Sequence, residues 1–128
     1  MERGGAVMDW SKYPNFTASE FNCSHCGKNE IEGEFMDRLQ GLRSAYNKSM
    51  RISSGYRCPQ HPIEIVKAQP GPHTTGLACD VAVEGADAHR LLGLALQLGF
   101  KGIGVQQKGQ GRFLHLDLVS DYGRLWSY

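Results

Sequence analysis

The chain has 128 residues, the size of one average domain, and its 41% hydrophobic and 21% charged residues exclude both two full domains and a disordered chain. Fourteen Lys and Arg against thirteen Asp and Glu leave a net charge of +1, too small a field to hold nucleic acid or an anionic membrane. No apolar run approaches the ~20 residues that span a bilayer, and four cysteines are too few for a disulfide scaffold in a chain that can build a core.

We read residues 1–128 as one domain, with residues 1–8 a disordered extension or tag remnant and Met8 an alternative start. The N-terminus lacks the apolar stretch of a secretory signal, so we expect synthesis in the cytoplasm without self-export. Thr17-Ala18-Ser19-Glu20 has the form of a capping box, with Phe16 and Phe21 at hydrophobic-staple spacing, and predicts a short helix. Ile31, Phe35, Leu39, Leu42 and Tyr46 recur in steps of three and four, which predicts an amphipathic helix ending at Asn47-Lys48. Strands are expected at Met50–Ser53, Ala78–Val83, Gly102–Gln107 and Phe113–Leu118. Asp87 is the candidate N-cap of a third helix running to Leu98, with Gly99 just beyond its end. The expected fold class is α+β, a small mainly antiparallel sheet packed against helices.

Side chains alternate across a strand. Cys79, Val81 and Val83 therefore share one face of the second strand, and Ala78, Asp80 and Ala82 the other. Leu114, Leu116 and Leu118 oppose Phe113, His115 and Asp117 in the same way, and Ile103 and Val105 oppose Gly102, Gly104 and Gln106. Each strand presents an aliphatic face to a core. If the strands pair, Asp80 and His115 look into one cleft floored by small residues, which leaves room for a ligand. His73 precedes Asp80 by seven residues, and Gly76 lets the loop turn back. Two imidazoles and one carboxylate suit a catalytic zinc ion with its fourth position open to water.

Ser54-Gly55-Tyr56-Arg57-Cys58-Pro59, His73-Thr74-Thr75-Gly76-Leu77-Ala78-Cys79-Asp80, Gly102-Ile103-Gly104-Val105 and Phe113-Leu114-His115-Leu116-Asp117 follow one another in an order that resembles the zinc D-Ala-D-Ala carboxypeptidase family. That family includes murein DD-peptidases and phage endolysins, and shares its fold with the Hedgehog signalling domain. The resemblance covers Ile52 to Asp117, about half the chain. It implies a Hedgehog/DD-peptidase-like fold, Zn2+ held by His73, Asp80 and His115, and hydrolysis of amide bonds in peptidoglycan peptides by a carboxypeptidase or endopeptidase. It implies that Arg57 binds a substrate carboxylate or the carbonyl oxygen at the scissile bond; otherwise Arg57 is a surface residue capping the turn after Gly55. The expected partner is a peptidoglycan peptide, with no nucleic acid and no membrane, and the expected state is a monomer. A phage-type lysin released to the wall, or a virion component, fits a chain without a signal.

The sequence also departs from that family. Many members carry an acidic general base three residues before the second zinc histidine, where this chain has Arg112, and often a Ser where it has Gly71. Asp117, on the same strand face as His115 and about 6.5–7 Å along, is the best substitute, either as the base or as a residue that orients His115. The missing acid also leaves open a binding module that keeps the metal without catalysis. Cys23-Ser24-His25-Cys26-Gly27 has the form of half a zinc knuckle. A structural zinc needs four ligands, and Cys58 and His61 contribute only if the fold brings them in, so we read these cysteines as local packing or free thiols. A nucleic-acid adaptor built on residues 21–30 is disfavoured by the near-zero charge. His61 and His89 read as surface residues, Cys79 as core, and Trp126 and Tyr128 as closing the core or bordering the cleft.

Overall fold

The computed structural model describes residues 8–128. The expected N-terminal extension lies outside the described residues except for Met8, which packs against the core. A 3-10 turn at Trp10–Lys12 comes first, and the expected short helix is a second 3-10 turn, Ala18–Phe21, that carries the predicted capping box; the Glu20 carboxylate accepts the Thr17 backbone N–H at 2.7 Å. Phe21 is fully buried against Phe16, their ring centres 5.7 Å apart.

Helix α1, Gly33–Tyr46, buries Phe35, Met36, Leu39, Leu42 and Tyr46, and Asn47 in the left-handed conformation (φ 56°) ends it. Strand β1, Arg51–Ser54, is followed by a one-turn helix α2, Pro62–Ile65, which the sequence reading does not contain. Strand β2 is Ala78–Ala82 and helix α3 is Gly85–Gln97. The start of α3 is a correction: Glu84, not Asp87, stands at the N-cap, and Asp87 instead sits in the first turn and binds Lys48 Nζ at 2.9 Å. An acid in a first turn is stabilised by the helix dipole as well as at a cap, so composition alone cannot separate the two positions.

Strands β3, Gly102–Gln106, and β4, Phe113–Asp117, lie where expected, and β5, Arg124–Ser127, is a strand the sequence reading missed. The sheet runs β1-β2-β4-β3-β5, antiparallel except for the β3–β5 pair, so the α+β class and the mainly antiparallel sheet are as expected. Cys79, Val81, Ile103, Leu114 and Leu116 join α1 and α3, with Leu91 and Ala95, in one core. The opposite face is left to Asp80, Gly104 and His115, and the register sets Asp80 against His115 and His115 against Gly104. No helix among the described residues is long and apolar enough to cross a membrane.

Candidate metal centre and its cleft

His73 comes from a 3-10 turn, Pro72–Thr75, between α2 and β2. Gly76 closes that turn with φ 78°, and a Cβ there would run into the Glu30 carbonyl. The turn is thus folded back tightly enough to carry His73 alongside β2, as the spacing required. His73 Nε2 lies 3.1 Å from Asp80 Oδ1, His115 Nδ1 lies 3.0 Å from the same oxygen, and the two ring nitrogens are 3.3 Å apart. All three side chains are buried.

The outer nitrogen of each imidazole is anchored. His73 Nδ1 donates to the Gly55 carbonyl at 2.7 Å, and His115 Nε2 meets Asp117 Oδ2 at 2.7 Å. A carbonyl or a carboxylate only accepts, so both protons sit on the outer nitrogens. In the neutral rings the inner nitrogens turn lone pairs toward the Asp80 carboxylate, so that three acceptors converge, whereas a proton on an inner nitrogen bridges that ring to Asp80. The arrangement with neutral rings calls for a cation, and two imidazoles with one carboxylate, within 4.8 Å of one another, fit a divalent transition metal such as zinc. Burial pushes the Asp80 carboxyl up, but the His115 and His73 hydrogen bonds outweigh it and hold Asp80 well below the ordinary carboxylate range. Burial likewise pushes His115 down, and its bonds to Asp117 and Asp80 reverse that and raise it.

Asp117 is fully buried and has no edge on the cleft. Its carboxylate takes His115 on one side, Arg124 Nη2 at 2.7 and 2.9 Å on the other, and the Val119 N–H at 3.0 Å. It stands behind His115, on the ring edge opposite the converging lone pairs. Gly102 is required here, because a Cβ at this position would run into the Asp117 carboxylate and Arg124.

Arg57 lines the cleft rather than the surface. Its Nη1 binds Glu64 Oε2 at 3.0 Å, and its Nη2 stands 3.7 Å from Asp80 Oδ2. Glu64, on α2, is buried and also accepts the Gly71 N–H at 2.8 Å and Lys67 Nζ at 3.0 Å. Burial pushes its carboxyl up, and the Gly71 N–H with the two cations brings it down to about 2. Gly71 packs closely on the same clamp, since a Cβ there would come within 2.7 Å of Lys67 Nζ, a flexible end that can give way, and 3.2 Å of Glu64 Oε1. The sequence reading missed Glu64, although it is the sole acid between Arg57 and Asp80.

The cleft above these groups has a volume of about 470 Å3, the size of a short peptide segment. Trp126 and Tyr128 of the C-terminal segment wall it, with the Trp126 ring tilted against the His115 ring at 5.1 Å between centres, which decides for a place at the cleft border. Arg112 lies elsewhere, beside the start of α3, with Nε 2.8 Å from the Gly109 carbonyl and 3.8 Å from Glu84. His89 is exposed on α3, Cys79 is fully buried, and His61 caps α2 by accepting the Ile63 N–H at 3.1 Å.

The cysteines of the half-knuckle are not isolated. Cys23 and Cys58 are buried and Cys26 is exposed, and the fold brings all three sulfurs within 4.8 Å of one another. Burial pushes the Cys23 thiol up, but the backbone N–H groups of Cys58, Cys26 and His25 outweigh it and bring Cys23 down to about 7.

The sequence model of the peptidase M15 family, the zinc D-Ala-D-Ala carboxypeptidase type, matches residues 14–117. The match begins well upstream of the motifs that carry the resemblance and closes on Asp117, before Arg124, Trp126 and Tyr128. No curated protein matches the chain in sequence.

Proposed function

The chain belongs to the M15 peptidase family, and we propose that it is a zinc-dependent peptidase that hydrolyses amide bonds in the peptide part of peptidoglycan. The observation that carries this is the convergence of His73, Asp80 and His115 on one buried point that opens into a cleft beside Arg57. Zinc held by these three side chains supplies a Lewis acid and a water acidic enough to attack near neutral pH.

The residues of the chain divide the remaining work. Gly55 and Asp117 hold the two imidazoles so that Nε2 of His73 and Nδ1 of His115 face inward. Arg57, braced by Glu64 through Nη1 and standing 3.7 Å from Asp80 through Nη2, lines the cleft as the cation for a substrate carboxylate or for the oxygen on which charge develops. Lys67 and Arg124 add positive charge to the cleft, and Ile63, Phe113, Trp126 and Tyr128 give it apolar walls. A short peptide bearing a carboxylate fits this combination. Stem peptides of peptidoglycan have that chemistry, and the endolysin setting in the cell wall rests on the resemblance alone.

Asp117 acts through His115 in this reading, as a positioning residue, because its carboxylate is turned away from the point where the ligands converge. Asp80 is then the one carboxylate among the described residues that line the cleft. This favours, as a second reading, a metal-bound binding module of the same fold without hydrolysis. Mass spectrometry of peptidoglycan fragments after incubation with the zinc-loaded protein separates the two. New amine and carboxyl termini, absent with His115→Ala, are expected for the peptidase. Binding to peptidoglycan without new termini leaves the binding module.

A further inference from the structure

A second cluster of metal-ligand chemistry lies outside the cleft, where the loop that precedes α1 meets the segment between β1 and α2. Cys23 and Cys26 sit on a tight turn in which the Gly27 N–H donates to the Cys23 carbonyl at 2.8 Å, and Gly27 takes φ 78°. Cys58 follows Arg57 and reaches this turn because the Tyr56 N–H donates to the Phe21 carbonyl at 2.9 Å. The Cys58 N–H in turn donates to Cys23 Sγ at 3.3 Å. All three are free thiols, with sulfurs within 4.8 Å of one another. Packing alone does not account for this, because Cys26 is exposed and contributes nothing to the core.

Two imidazoles flank the sulfurs. His61 has both nitrogens engaged, Nδ1 with the Ile63 N–H at 3.1 Å and Nε2 with Ser24 Oγ at 3.0 Å. His25 is the better placed, its Nδ1 3.6 Å from Cys58 Sγ. A tetrahedral zinc with ~2.3 Å bonds to sulfur and ~2.0 Å bonds to nitrogen separates such a pair by about 3.5 Å. His25 therefore stands at ligand spacing from Cys58, while the mutual 4.8 Å cluster consists of the three sulfurs, so the imidazole has to turn inward to complete the set.

We propose that Cys23, Cys26, Cys58 and His25 bind a second, structural zinc ion. Three thiolates and one imidazole form a closed tetrahedral set, with no position left for water or substrate, and soft sulfur ligands select zinc over oxygen-seeking cations. Each thiol releases its proton to solvent as the metal binds. The ion ties the turn at Cys23–Gly27 to the segment 55–58, which carries both the Gly55 carbonyl that anchors His73 and the Arg57 guanidinium. It would thus hold the rim of the cleft without touching substrate.

Cobalt substitution tests the proposal directly. Wild-type protein is expected to bind two metal equivalents and to show sulfur-to-cobalt charge-transfer absorption in the near ultraviolet. A His73→Ala/His115→Ala variant should keep one equivalent and the full absorption. Cys26→Ser replaces an exposed side chain, so the fold should survive, and it should lose the absorption and one equivalent. His25→Ala should weaken cobalt binding at this site at least tenfold, while His61→Ala should not. An absence of charge-transfer absorption in wild type, or a disulfide among the three cysteines in freshly purified protein, overturns the site. Loss with His61→Ala but not with His25→Ala overturns the assignment of the fourth ligand.

Discussion

The Nε2 atom of His115 lies 2.7 Å from Asp117 Oδ2, while the Nδ1 atom of the same ring lies 3.0 Å from Asp80 Oδ1. One imidazole thus bridges a carboxylate that faces the cleft and another that is sealed from it. The two carboxylates are not equivalent. Asp80 meets the convergent lone pairs, and Asp117 fixes the proton on the far nitrogen and the plane of the ring.

Asp117→Asn should therefore act on the metal before it acts on chemistry. An amide oxygen still accepts the Nε2 proton but carries no charge, so zinc affinity is expected to fall about 10–100-fold. At saturating zinc most of the hydrolytic rate should return. A base would behave differently, with a rate loss of about 10²–10⁴-fold at full zinc occupancy. Zinc titration and peptidoglycan hydrolysis on the same preparation distinguish them, and a rate that stays low with zinc bound would give Asp117 the proton-transfer role after all.

Glu64 offers a stability test with a defined sign. Its carboxyl is held at about 2 in the folded protein against an ordinary value of 4.5. Between these values the unfolded chain binds the extra proton, so the contribution of Glu64 is complete above about pH 4.5 and is lost as the pH falls toward 2. Glu64→Gln should cost about 3 kcal/mol at neutral pH, the low end for breaking a buried ion pair, because Lys67 keeps contact with water. Denaturant melts across pH 2–7 should show wild type and variant converging at the acid end. Parallel curves across the whole range would contradict the ion-pair account.

The strand faces were legible because a period of two admits only two assignments, and the aliphatic sets at Cys79/Val81, Ile103/Val105 and Leu114/Leu116 chose between them. Once those faces turn to the helices, Asp80 and His115 have one place to go. What stayed hidden depended on contacts far apart in sequence. Glu64 reads as an ordinary acid until α2 folds its side chain under Arg57 and Gly71. Arg124 and Trp126 matter only because β5 pairs in parallel with β3 and lays them over Gly102 and Gly104, and nothing local in Arg124–Ser127 announces that partner. The role of Asp117 was undecided for a related reason. The spacing puts it on the His115 face, but Arg124 and the Val119 N–H decide which way the carboxylate is turned.

Arg57→Lys should separate substrate binding from metal binding. Lysine retains the charge and can still approach Glu64, but it cannot present two parallel N–H donors to a carboxylate. Zinc content and melting temperature are expected to stay near wild type. The value of kcat/KM should fall by roughly tenfold or more, on the scale of a charged hydrogen bond of ~1.5–3 kcal/mol. Unchanged kinetics on a defined stem peptide would remove Arg57 from the substrate site and leave it as a brace for α2.

Gly104 tests whether the C-terminal strand shapes the cleft. It pairs with His115 on one side and Trp126 on the other, and a Cβ at this position would come 2.6 Å from Trp126 Nε1 and 2.9 Å from the Tyr128 hydroxyl. Gly104→Ala must displace one or both rings. Strand β5 is at the edge of the sheet, so it can move outward without disturbing β2 and β4. The cost in stability is expected to be about 1–3 kcal/mol, as for overpacking elsewhere. Zinc binding should be unaffected, because His73, Asp80 and His115 come from other elements. The apolar wall beside His115 should open, raising KM severalfold with a smaller change in kcat. Trp126→Ala removes the same wall without the clash and should raise KM likewise, while leaving the backbone of β3 in place. If both variants hydrolyse peptide with wild-type KM, Trp126 is a lid on the sheet edge and the substrate lies along the Arg57 side of the cleft alone.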